Sequence, residues 1–249
     1  MASGSGTCIV VGSSSGIGLA VARRLALAGR KVAMLARREN ELRTQAATVN
    51  DALAQQRAFP FVHDAADLDA VEPLFARIEQ ELGPVDEVHY VAGVMPEVAI
   101  DEFDVGKDRL QVQVNMLGCI AWGNAAARRF LPRRAGCFVG VGSVAGDRGR
   151  VGRPVYNASK AGMDCYLEGL RNRLWRHGVQ VTTIKPGPTQ TPMTANLGLK
   201  NAIPADRAAE LILRARDRGR AIAYVPGKWR VIMFVIRNIP SFLFRRLSI

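Results

Sequence analysis

Thr7-Cys8-Ile9-Val10-Val11-Gly12-Ser13-Ser14-Ser15-Gly16-Ile17-Gly18 is the stretch that decides the fold. Thr7–Val11 is apolar and short enough for one strand, and it runs without a linker into three glycines that open an amphipathic segment, Ile17–Ala28. Glycines so placed permit a tight turn, close approach of backbone to a diphosphate, and close packing of helix on sheet. The free N–H groups and positive dipole of the helix start then hold the anion. The spacing is Gly-x-x-x-Gly-x-Gly, not the more familiar Gly-x-Gly-x-x-Gly. A glycine-rich turn is a weak signal alone; its place between a strand and a helix makes Gly12, Ser14, Gly16, Ile17 and Gly18 candidates for a phosphate cradle.

Outward from this loop, short apolar runs alternate with longer amphipathic ones. Strands are expected at Thr7–Val11, Lys31–Ala36, Ala58–Val62, Glu87–Val91, Gly136–Val141, Val179–Ile184 and Ala221–Val225. Helices are expected at Ile17–Ala28, Glu39–Gln55, Leu68–Leu82, Lys107–Leu131, Val155–His177 and Ala205–Arg218. Gly29, Gly83 and Gly178 fall where helices should stop. The alternation implies an α/β fold, a doubly wound parallel sheet of seven strands with helices on both faces and ligands at the strands' carboxyl ends. Residues 1–225 read as a single catalytic domain and 226–249 as an apolar, basic tail. Pro186–Ile203, rich in Pro, Gly, Thr and Asn, is too long for a plain connection and is a candidate lid. The small-residue start, Met1–Gly6, is the only low-complexity stretch.

The 249 residues are 48% hydrophobic and 22% charged, which places the chain among globular proteins rather than disordered ones. The net charge of +12 invites nucleic acid or an anionic surface as a partner. The 28 Arg and 6 Lys are scattered, however, with no aromatic-interleaved basic motif, so no nucleic-acid function is expected. Cys8, Cys119, Cys137 and Cys165 form no CxxC pair, and His63, His89 and His177 are isolated, so no metal site is expected. Reduced thiols and the lack of a secretory pattern at the start point to the cytoplasm.

The second expected strand ends in Ala36-Arg37-Arg38. A free ribose 2′-hydroxyl is usually held by an acid near this point, whereas a 2′-phosphate needs a cation. Two arginines favour NADP, with NAD as the alternative, Glu39 lying one residue beyond them. Tyr156-Asn157-Ala158-Ser159-Lys160 opens the helix after the fifth strand, and residues four apart share a helix face. A nearby ammonium favours phenolate and should lower the Tyr156 pKa toward working pH. With four Tyr and six Lys, such a pair arises by chance about one time in ten, so context must carry it. Gly142-Ser143-Val144-Ala145-Gly146 supplies that context by placing a hydroxyl at the carboxyl end of the fifth strand, where it could donate to a carbonyl oxygen gaining charge.

From Thr7 to about Val225 the chain resembles the short-chain dehydrogenase/reductase family. The glycine loop, Asn115, Ser143, Tyr156 with Lys160, and Pro186-Gly187-Pro188-Thr189-Gln190-Thr191 all occur in that family's order. The resemblance implies a Rossmann fold and roles residue by residue. Tyr156 would be the general acid or base, and Lys160 would hold the nicotinamide ribose and depress the Tyr156 pKa. Ser143 would polarise the substrate oxygen, and Asn115 would hold a proton-relaying water. Asp64 with Ala65 would meet the adenine, Arg37 and Arg38 a 2′-phosphate, and Pro186, Gly187 and Thr191 the nicotinamide. The family commonly has Asn-Asn-Ala-Gly after the fourth strand; here it is Tyr90-Val91-Ala92-Gly93, which keeps the small Ala92 and Gly93 beside the cofactor but loses two hydrogen-bonding side chains.

The implied function is NADPH-dependent interconversion of a ketone and a secondary alcohol, on a hydrophobic or lipid-like substrate. An NAD-linked alcohol dehydrogenase working oxidatively, a cofactor-sensing binding protein and a membrane-associated scaffold are the alternatives. Met95–Val105, Gly146–Pro154 and Pro186–Ile203 would form the pocket walls. In the tail, Trp229, Phe234, Phe242 and Phe244 interleave with basic residues, and the apolar run Val231–Ile236 is far short of the ~20 residues needed to span a bilayer. Peripheral membrane contact, packing over the substrate pocket and packing against a second subunit are all open readings. The resemblance also implies a homo-dimer or tetramer through the Lys107–Leu131 and Val155–His177 helices.

Overall fold

The computed structural model describes residues 6–247; residues 1–5 of the low-complexity start and 248–249 of the tail lie outside the described residues. Strands β1 (Thr7–Val11), β2 (Lys31–Ala36), β3 (Ala58–Val62), β4 (Val85–Tyr90), β5 (Cys137–Val141) and β6 (Gln180–Pro186) alternate with helices α1 (Gly16–Leu27), α2 (Glu39–Leu53), α3 (Val71–Leu82), α4 (Val105–Val112), α5 (Gly118–Arg133) and α6 (Pro154–Leu174). Two-residue strands β7 (Thr189–Gln190) and β8 (Ile203–Pro204) precede α7 (Ala205–Asp217), β9 (Ile222–Val225), α8 (Trp229–Asn238) and α9 (Ser241–Phe244).

The main sheet is wholly parallel, in the order β3-β2-β1-β4-β5-β6-β9. Alternate residues face opposite sides, so β1 sends Ile9 and Val11 into one core and Cys8 and Val10 into the other. The first core joins the sheet to α3, α5 and α6 through Phe75, Trp122, Phe130 and Leu167, all fully buried; the second joins it to α1, α2 and α7 through Leu25, Leu42 and Ile212. Strand order reverses between β1 and β4, and a crevice opens there at the carboxyl ends. Gly29, Gly83 and Gly178 follow helix ends with φ of +84°, +93° and +74°, values that favour glycine.

Two segments differ from the sequence reading in kind, beyond shifts of a few residues at element ends. The single helix expected at Lys107–Leu131 begins at Val105, ends at Arg133 and is interrupted by a π-helical turn, Gln113–Leu117. The Pro186–Ile203 segment is not irregular throughout. The β7–β8 pair closes its base, and its middle is a 3₁₀ turn, Pro192–Leu197, held by a reciprocal Thr191–Thr194 capping box.

Candidate active site

The glycine loop forms a cradle that side chains would fill. A Cβ on Gly12 (φ +89°) would stand 2.7 Å from the Ala92 Cα, and one on Gly18 would stand 2.0 Å from the Gly12 carbonyl oxygen. The Gly12 and Ser13 N–H groups donate to the Leu35 carbonyl at 2.8 and 3.0 Å, which pins the loop to β2. The first turn of α1 carries no acid, and its N-cap Ser15 hydroxyl makes no capping bond, so the amides there remain available to an anion. At the rim, the Arg38 guanidinium donates to the Ser14 hydroxyl at 3.2 Å. Arg37 lies 3.9 Å from Asp64, with both side chains largely exposed. The residues present therefore fit a dinucleotide, with the guanidiniums of Arg37 and Arg38 on the cleft wall at this end. His63 also lines this end. Its Nε2 accepts from the Trp122 indole at 3.2 Å, and burial pushes its pKa down.

At the other end, Ser143 caps the 3₁₀ turn Val144–Asp147, its Oγ accepting from the Ala145 N–H at 3.0 Å and keeping its own proton to donate. Tyr156 and Lys160 share a face of α6, the Lys160 ammonium 5.9 Å from the Tyr156 ring centre. Lys160 is buried and donates to the Val141 carbonyl at 3.1 Å. Burial lowers its pKa to about 8, against Asp164 and Cys119, which raise it. Burial pushes the Tyr156 phenol up, opposed by the Ser143 hydroxyl and Arg153. This differs from the expected lowering: Lys160 is not among the groups that pull the phenol down, and desolvation of the phenolate prevails.

Asn115 sits in the π turn, fully buried. Its Oδ1 accepts from the Val94 N–H at 2.8 Å, and its Nδ2 donates to the Val94 carbonyl and the Ser159 hydroxyl, both at 3.0 Å. It thus fastens the loop after β4 to α6 from behind the cleft wall. Every other sequence-predicted site residue lines the cleft itself: the loop residues Gly12, Ser14, Gly16, Ile17 and Gly18, with Arg37, Arg38, Asp64, Ala65, Ala92, Gly93, Ser143, Tyr156, Lys160, Pro186, Gly187 and Thr191. The π turn is braced from the sheet. Tyr90, at the first position of the altered Asn-Asn-Ala-Gly segment, is fully buried and donates its hydroxyl to the Val114 carbonyl at 2.5 Å. It supplies a bond across the position where the family's asparagine is missing. A Cβ on Gly118 would lie 2.2 Å from that hydroxyl, so the Tyr90 ring requires glycine there.

A buried ionic cluster backs Lys160. Lys185 lies 2.9 Å from Asp164 and also pairs with Asp147, and Tyr224 donates to Asp147 at 2.7 Å. Neither Asp164 oxygen has an aligned hydrogen-bond partner, and burial raises its pKa to about 6.

The cleft is about 670 Å³. Each expected wall loop contributes: Met95 and Val98, then Arg150 and Arg153, then Met193, Leu197 and Leu199. Sequence reasoning named those loops but not His63, Arg150 or Arg153 as lining residues. Trp229 of the tail also lines the cleft, its indole so close to Gly187 that a Cβ there would stand 2.0 Å from Nε1. Met233 is fully buried, and Arg148 donates to the Arg237 carbonyl at 2.7 Å and stacks on Phe244. The inner face of the tail therefore packs over the substrate end, as one of the three readings held. Its outer face leaves Val231, Phe234, Val235 and Phe242 exposed. No described helix is long and apolar enough to cross a membrane.

A parallel doubly wound sheet with a glycine cradle at its switch point and a Ser–Tyr–Lys set across the crevice defines the class of nicotinamide-dinucleotide oxidoreductases. The sequence profile of the short chain dehydrogenase family matches residues 6–202. A Streptomyces coelicolor protein described as an uncharacterized oxidoreductase is 34% identical, covering 97% of this chain and 95% of its own. Human 3-oxoacyl-[acyl-carrier-protein] reductase is 32% identical over 82% of this chain and 86% of its own. Among solved structures, actinorhodin polyketide ketoreductase with NADPH superposes with a TM-score of 0.80 at 26% identity, covering 90% of this chain and 97% of its own. A short-chain dehydrogenase from Sphingobium yanoikuyae with NADPH, 23% identical, shares the fold with a TM-score of 0.82 over 95% and 97% of the two chains. The chain belongs to the short-chain dehydrogenase/reductase family and is an NAD(P)-dependent oxidoreductase.

Proposed function

We propose that this protein interconverts a ketone and a secondary alcohol with NADPH, on a hydrophobic carbonyl substrate. The observation that carries the reading is the convergence of Ser143, Tyr156 and Lys160 on one cleft with apolar walls, across from the glycine cradle. Lys160 would hold the nicotinamide ribose, Pro186, Gly187 and Thr191 the nicotinamide, Asp64 and Ala65 the adenine, and Arg37 and Arg38 a 2′-phosphate. Bound there, the cofactor supplies the hydride that the carbonyl carbon receives. Ser143 donates its hydroxyl proton to the carbonyl oxygen as charge develops. Tyr156 delivers the proton that completes the alcohol, and takes it back in oxidation. A phenol raised by burial stays protonated at neutral pH and is ready to donate, so reduction should prevail there and oxidation should rise with alkaline pH. Asn115 serves by holding Val94 and Ser159 in place.

Ketones of increasing chain length, assayed with NADPH and with NADH, test the reading. Turnover that improves with apolar length and favours NADPH is expected. Tighter binding and faster turnover with NADH would favour the NAD-linked dehydrogenase instead, and binding without turnover of any ketone or alcohol would favour the cofactor sensor.

The same reading places residues 1–225 as the catalytic domain of a cytoplasmic dimer or tetramer, assembled through α4, α5 and α6. The described part of the tail, residues 226–247, forms a layer over the substrate end whose outer face meets an anionic membrane peripherally. Exposed Phe234 and Phe242 beside exposed Arg230, Arg237, Arg245 and Arg246 support that last assignment. Flotation with anionic liposomes but not neutral ones is expected, and it should be lost on deleting residues 227–249.

A further inference from the structure

Two guanidiniums line the substrate end of the cleft without an acid to neutralise either. Arg150 has its Nε buried with no hydrogen-bond partner, and its Nη2 meets only the Met233 sulfur, at 3.7 Å. Arg153 points an Nη1 at the Met95 sulfur, 3.0 Å away. Among the described residues neither arginine forms an ion pair. Asp147, the acid whose field reaches Arg150, is engaged by Lys185 and Tyr224. Asp64 is the single acid among the lining residues, and it lies at the adenine end beside Arg37. The same cleft is lined by the apolar Met95, Val98, Met193, Leu197, Leu199 and Trp229.

A half-buried guanidinium with no acid beside it is costly in an apolar wall, and burial pushes the pKa of Arg150 down. Its planar fork matches a carboxylate, which can take the terminal N–H groups that no protein oxygen accepts. We propose that the substrate is amphipathic, a carbonyl compound with an apolar body and a carboxylate end, and that Arg150 binds the carboxylate with Arg153 adding to the field. The inference rests on the ketone–alcohol reading of the cleft and names the substrate class for it.

The test compares a long-chain keto acid with its methyl ester in NADPH-dependent reduction. A charge-assisted hydrogen bond implies a KM about 10- to 100-fold lower for the acid. Arg150→Gln should collapse that ratio toward unity through KM rather than kcat, and Arg150→Lys should restore part of it. Binding is read separately, without cofactor or turnover, by tryptophan fluorescence on adding decanoate or decanol, since Trp229 lines the cleft. Decanoate should bind the wild type more tightly than decanol, and R150Q should lose that preference. Equal handling of acid and ester by the wild type, or an undiminished decanoate preference in R150Q, overturns the inference. Arg150-dependent decanoate binding in a protein that reduces no ketone would uphold it while the ketone reading falls.

Discussion

Asp164→Asn is the substitution that most sharply separates an electrostatic role from a structural one in the cluster behind Lys160. On a helix, Cβ atoms four residues apart lie about 6 Å from one another. At an effective dielectric constant of about 20, two unit charges at about 6 Å interact by about 2.8 kcal/mol, which corresponds to about two pH units. Lys160 is held at about 8 by burial, with Asp164 the largest influence opposing that depression. The other groups facing it, Cys119, the Tyr156 ring and the Val141 carbonyl, remain in the variant. Loss of the carboxylate should therefore bring Lys160 from about 8 to about 6. The sign follows directly. Lys160 is charged below its pKa, so a step that needs its ammonium keeps its rate up to about pH 8 in the wild type and only to about pH 6 in the variant. At pH 7 the charged fraction falls from about nine-tenths to about one-tenth, a loss of about tenfold in kcat/KM that should be recovered near pH 5. The assay is the pH profile of kcat/KM for ketone reduction at saturating NADPH. An unmoved limb, or a loss equal at every pH, would refute the electrostatic account and leave Asp164 a packing residue.

Two further predictions concern the cradle and the π turn. Replacing Arg37 and Arg38 together by Ala should weaken NADPH binding about 10- to 100-fold and leave NADH binding within a few-fold, read as Kd by fluorescence titration. Tyr90→Phe leaves the Val114 carbonyl without its donor in a buried site. It should cost about 1–3 kcal/mol, seen as a fall in Tm of roughly 2–12 °C.

Much of the architecture was legible because this chain punctuates its strands. β1, β2 and β3 have the expected bounds, each a short apolar run ended by glycine, arginine or a polar turn. β4 begins earlier than expected, at Val85, because Thr7 pairs with Val85 across a register shift that skips the polar Asp86, and that interruption hides the start from a search for apolar runs. The π turn left no mark on periodicity. It is braced by a hydroxyl from Tyr90, 24 residues earlier, and a local pattern cannot report a bond from another element. The Ser143, Tyr156 and Lys160 constellation was readable from order and spacing, but the direction of the Tyr156 pKa was not, since it depends on burial set by the whole loop wall. The ionic cluster joins Asp147, Asp164 and Lys185 from three separate elements, and only the packing of β6 against α6 brings them together. The tail was ambiguous for a related reason. Trp229 and Phe234 look alike in sequence, yet one lines the cleft and the other faces outward.

The account stands most directly on the phenol of Tyr156. The measurement is the rate of NADPH oxidation by the best ketone substrate for the wild type and Tyr156→Phe, with NADPH affinity determined on the same preparations. Loss of a positioned general acid should lower kcat by about 10²- to 10⁴-fold while NADPH affinity stays within a few-fold. Equal turnover by the two proteins would contradict the account.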